Sequence, residues 1–156
     1  KEFDTYKVGT VANSCSTMHK ITAKEFDVND FSHEHIEELD GDEYSMSYDW
    51  LLRTVDILNY YRKKYNTASE KLKMDITNAE RKHVLAQQKL FWWQMIQLLP
   101  SSYNQTRNVM MNYEVLANIY KSRKNHKLDE WREFCKWIEA LPYSELTTGG
   151  FKNEQI

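Results

Sequence analysis

Four glycines and two prolines are all the backbone punctuation that 156 residues contain. Together they make about 4% of the chain, against roughly 12% in average usage. Glycine supplies the positive φ of tight turns and proline ends helices, so a chain this poor in both cannot turn often. A sandwich or barrel of many short strands is therefore excluded, and long helices are expected. Ten Tyr, five Trp and six Met, within 41% apolar and 28% charged residues, can build one core under a solvated surface. The length is that of one ordinary domain.

Charge and hydropathy narrow the setting. A net charge of −2 gives no global reason to expect nucleic acid or an anionic membrane as partner. No apolar run approaches the ~18 residues of a membrane span. Cys15 and Cys135 sit at opposite ends of the sequence. They form neither a disulfide framework nor a local zinc knuckle, and a reducing cytoplasm is the expected compartment. The polar N-terminus lacks the apolar segment of a signal peptide.

Periodicity places the elements. Tyr6, Val8, Thr10 and Ala12 alternate around Gly9 as an extended segment, and residues 13–17 form a polar loop. A short helix is expected over residues 32–39, ending at Asp40-Gly41. A longer one starts near Ser47 and carries Leu51, Val55, Leu58 and Tyr65, with residues 66–76 as a frayed end or a link. Thr77 and Glu80 fit a capping box, opening a helix that runs to Leu99 and stops at Pro100. Residues 101–107 are a loop. Further helices are expected over 110–122 and 129–141, the second with Trp131, Phe134, Cys135 and Ile138 at i, i+3, i+4, i+7. Residues 1–142 form one domain and 143–156 a tail. The fold class is α+β, mostly helical.

Conventional catalytic motifs are absent: no glycine-rich phosphate loop, no His-Glu-x-x-His, no nucleophile elbow. His33 and His35 would point about 200° apart on a helix, so they do not converge on a metal, and no metal is expected. Asp40-Gly41-Asp42-Glu43 lacks EF-hand spacing. The helix ending at Arg123 is more informative. Asn112, Leu116, Ile119 and Arg123 share one face at about 100° per residue. An arginine aligned with an apolar stripe needs a partner: a salt bridge inside the fold, or a planar acceptor in a cleft.

These residues carry a family resemblance. Leu99-Pro100, then Asn112-x5-Asn118-x4-Arg123 and His126-x3-Glu130-x-Arg132, resemble the C-terminal half of flavin-dependent thymidylate synthases. Asn13-Ser14-Cys15-Ser16 is similar to the end of that family's Arg-His-Arg, seven residues, Ser motif. The likeness covers residues 96–141 well and 1–20 weakly. It implies that fold, a homotetramer, and a chain whose N-terminal part is missing, in keeping with a start at Lys1. It further implies FAD as cofactor, and dUMP, methylenetetrahydrofolate and NADPH as partners, with neither nucleic acid nor membrane. By the same resemblance Arg123 is the catalytic, pyrimidine-binding arginine. Asn112, Asn118 and His126 then contact the flavin, and Ser16 and Asn13 the substrate.

Departures from the pattern are also visible. Tyr6-Lys7-Val8 stands in the register of Arg-His-Arg, Met18-His19 follows the motif serine, and Ile96 and Glu114 replace two arginines. Lys7, His19, Lys20 and Arg107 are candidate replacement cations. Two other classes of function therefore accompany the enzyme: a catalytically inactive relative acting as a nucleotide-binding or protein-interaction module, and an unrelated helical interaction protein using Trp92-Trp93.

Overall fold

The structure, a computed structural model, describes residues 6, 8–14, 20–36 and 42–149. It is α+β: long helices with one two-stranded antiparallel sheet. The chain divides into two compact units, one built from residues 1–14 with 107–156, the other from residues 15–106.

The second unit is a helical hairpin. Helix α1 spans Asp42–Lys71 and α2 spans Asn78–Leu98. The helix α1 runs unbroken through residues 66–71, which the periodicity left as a frayed end or link. No glycine or proline interrupts it, and Thr67 and Ser69 donate their hydroxyls back to the Lys63 and Tyr65 carbonyls instead of opening the turn. Thr77 caps α2 as expected: its hydroxyl accepts from the Glu80 N–H while Glu80 accepts from the Thr77 N–H. Leu51, Val55 and Leu58 of α1 meet Met95 of α2 in a core completed by Ile21, Phe26 and Phe31.

The segment before α1 differs from its expected form. A single 3₁₀ turn, Val28–Asp30, capped by Asp27, precedes the span where a helix is expected over residues 32–39, and no helix begins at Ser32. Residues 34–36 form only a turn, and residues 37–41 lie outside the described set. The reason is long-range pairing. The Ser32 N–H donates to the Ser102 carbonyl, and Phe31 bridges Tyr103 in antiparallel fashion. Asn59 anchors the same segment by two hydrogen bonds with the Phe26 backbone.

Among its described residues the first unit is a β-ribbon with three helices. Strand β1 (Thr10–Ser14) pairs antiparallel with β2 (Arg107–Met111), in a register that sets Asn13 against Asn108 and Ser14 against Arg107. Helices α3 (Tyr113–Arg123), α4 (Asp129–Glu139) and the short α5 (Glu145–Thr148) follow. Two expectations are corrected here. Met110 and Met111 belong to a strand, not a helix, because Arg107, Val109 and Met111 alternate inward with period two. Residues 145–148 are a helical turn with Thr147 buried, not loose tail. Val115, Leu116, Ile119, Trp131 and Ile138 form this unit's core.

Gly9 enters β1 with φ +76°, and a Cβ there would meet Val115 Cγ2 at 3.0 Å. A left-handed residue without a side chain is what lets the ribbon lie against the start of α3.

Candidate functional site

The sequence-predicted residues fall mostly in the ribbon unit. Asn13 is exposed on the ribbon's outer face, in the row of Val11, Asn108 and Met110. These residues and Arg107 line an open cavity of about 300 Å³. Arg107 thus stands beside the motif asparagine and opposite Ser14 in the strand register. Ser16, Cys15, Lys7 and His19 lie outside the described residues. Arg107 was legible only as a candidate replacement cation. Arg-Asn-Val-Met-Met does not alternate in polarity, and its period-two burial arises only in the paired strand.

Arg123 points inward at the end of α3. Its guanidinium lies 4.9 Å from the Trp131 ring centroid and 5.9 Å from that of Tyr6. Its Nε donates to the Tyr6 hydroxyl at 3.1 Å. Tyr6 in turn meets Trp131 edge-to-face. Two aromatic rings therefore hold the planar cation in a fixed orientation. The part played by Tyr6 carried no sequence signal, since 117 positions separate it from Arg123.

Asn112 and His126 are engaged with backbone. The Asn112 side chain accepts from the Val115 N–H and is the N-cap of α3. His126 Nδ1 accepts from the Leu128 N–H at 3.2 Å, which in a neutral ring leaves the proton on Nε2. Arg132 braces this connection: it donates to the His126 and Lys127 carbonyls and pairs with Asp129.

Asn118 lies elsewhere. Six residues separate it from Asn112, about 240° around the helix. It opens with Tyr120, Lys121, Lys124, Thr148 and Gly149 on a groove of about 330 Å³ between α3 and α5. Among the described residues no carboxylate lines that groove. Two ammonium groups and a carboxamide are a donor set suited to a pyrophosphate. The three candidate cofactor residues accordingly divide: Asn118 borders a basic groove, while Asn112 and His126 hold the ends of α3 and the connection after it.

Below α3 the electrostatics centre on Glu139. Its carboxylate accepts from the Tyr120 hydroxyl at 2.7 Å. That bond, with burial and the carboxylate's charge, raises the Tyr120 pKa above the ordinary phenol value. Burial, then the same charge, raises the Cys135 thiol. A buried thiol held protonated is a poor nucleophile. Among the described residues no group of three or more His, Cys, Asp or Glu could hold a metal. No helix among them is long and apolar enough to cross a membrane.

No family profile, curated protein or solved structure matches this chain. The α+β class stands on the structure itself, and the likeness to the flavin-dependent thymidylate synthase fold gains no support from these comparisons.

Proposed function

We propose that the chain is a pyrimidine-nucleotide enzyme of the flavin-dependent thymidylate synthase type, converting dUMP to dTMP. The observation that carries the reading is the β1–β2 register. It joins Asn13 and Ser14 of the N-terminal stretch to Asn108 and Arg107, the latter sixteen residues before Arg123. Asn13 and Ser14 of one stretch and Asn112, Asn118, Arg123 and His126 of the other, far apart in sequence, thereby share one unit.

In this reading Arg107 and Asn13 meet the nucleotide phosphate, replacing part of the missing arginine set, with Ser16 as the motif serine. Arg123 faces the pyrimidine and stabilises charge that develops on the ring, which lowers the barrier without a covalent nucleophile. Asn118, Lys121 and Lys124 hold the pyrophosphate of FAD. The flavin, when bound, supplies the hydride, with methylenetetrahydrofolate as carbon donor and NADPH as reductant. The assembly is a homotetramer in the cytoplasm.

A second reading has its own observation. Asn112 and His126 are spent on backbone groups, which suits a relative that binds a nucleotide or a protein without turnover. A dTMP-formation assay with dUMP, methylenetetrahydrofolate, NADPH and added FAD separates them. The enzyme reading expects dTMP, undiminished in a Cys15→Ser/Cys135→Ser variant. Retained dUMP binding without product would favour the inactive relative.

A further inference from the structure

Two asparagines lay residues 22–26 along helix α1. Asn59 accepts from the Phe26 N–H at 2.8 Å and donates to the Phe26 carbonyl at 2.9 Å. Asn66 donates to the Thr22 carbonyl at 3.4 Å. Arg62 stands between these clamps, three residues after the first and four before the second, and all three fall within an arc of about 60°. Its Nε is buried, and among the described residues it has no hydrogen-bond partner. Native folds rarely leave a buried donor unmet, because its lost hydration is not returned. The orphan nitrogen marks an acceptor that the chain does not supply.

Arg62 lines a cavity of about 620 Å³ in the hairpin unit, together with Lys63, Glu25, Asp56 and Glu70. That is the size of a small-molecule site. Among the described residues none of these carboxylates pairs with Arg62, and Glu70 turns to Lys73.

Charge selects the ligand. Three carboxylates against two cations leave the lining at a net −1. A phosphate with two negative charges is repelled by that excess of acid. A carboxylate fits the fork of Nε and one terminal nitrogen, provided that it arrives with positive charge for the acids to take. An α-amino acid with a basic side chain carries one carboxylate and two cations, the complement of this lining.

We propose that this cavity binds a free basic α-amino acid, its carboxylate on Arg62 and its cationic groups toward Glu25, Asp56 and Glu70. Arg107, Asn118 and Arg123 lie in the other unit, so this site and the nucleotide reading can fail independently.

Calorimetric titration of L-arginine into the full chain tests it, with L-argininamide and inorganic phosphate as comparison ligands. L-arginine should give a saturable heat at micromolar to millimolar concentration. L-argininamide keeps both cations but lacks the carboxylate, and should bind about 10-fold more weakly or worse. Phosphate should not compete. Arg62→Gln should abolish the heat, whereas Lys64→Gln, an exposed neighbour outside the lining, should leave it unchanged. No saturable heat with L-arginine would overturn the proposal. So would L-argininamide binding as tightly as L-arginine, a comparison on the wild-type chain that needs no variant to fold, and so would displacement by phosphate.

Discussion

The guanidinium of Arg123 lies 4.9 Å from the centroid of Trp131, and its Nε donates to the hydroxyl of Tyr6. One cation thus links the end of α3 to α4 and to Tyr6, four residues before β1. Anything Arg123 does for a ligand is done from this clamp.

Replacing Arg123 should therefore read out twice. Arg123→Lys keeps the charge but loses the planar surface and the multi-donor fork. Lost stacking and one charge-assisted hydrogen bond should destabilise the unit by about 1–2 kcal/mol. As the pyrimidine contact, the same change should also weaken dUMP binding about 10-fold, or ~1.4 kcal/mol. Thermal melting and calorimetry on one variant check both. A stability loss with unchanged dUMP affinity would confine Arg123 to the clamp.

Gly9→Ala should destabilise the ribbon by roughly 1–2 kcal/mol. The residue has φ +76°, and the new Cβ would sit 3.0 Å from Val115 Cγ2. Chemical denaturation measures the loss. A neutral result would mean that the turn before β1 relaxes freely.

Thr77→Ala should cost about 1 kcal/mol by removing the hydroxyl cap of α2, and Thr77→Ser should restore it. Glu80 reports on the same box. Hydrogen bonds from the Thr77 hydroxyl and backbone hold its carboxyl below the usual range. A lowered folded pKa gives stability that is present above the unfolded value and lost as pH falls through the folded one. Carbon-detected titration of Glu80 should show the depressed value in wild type and a return toward normal in Thr77→Ala.

At alkaline pH the sign reverses. Cys135 and Tyr103 are raised chiefly by burial, and Tyr120 chiefly by its bond to Glu139. Groups raised on folding stay protonated in the native chain while the unfolded chain ionises. Their contribution is complete below the ordinary thiol and phenol values, roughly 8.5 and 10, and declines above them. Denaturation against pH should show this decline, and Tyr120→Phe with Cys135→Ala should flatten it. An unchanged slope would contradict the assignment.

The helices were legible because local chemistry decides them. Thr77, Glu80 and Pro100 punctuate α2, and Trp131, Cys135 and Ile138 define the buried face of α4. Segments decided by distant partners were not legible. Residues 32–36 have helical spacing, yet Ser102 and Tyr103 draw that backbone into pairing. Residues 107–111 show their alternation only once β1 supplies a partner. The candidate site divides in the same way. Arg123 could be placed on an inward face from spacing alone, whereas Tyr6, Arg107 and the groove beside Asn118 depend on contacts that no local pattern encodes.

Calorimetric titration of dUMP into the purified chain, with and without FAD, tests the nucleotide reading most directly. A saturable heat with a micromolar dissociation constant, lost in Arg107→Gln, is the expected result. No heat with either ligand, and no visible absorbance change on adding FAD, would contradict it.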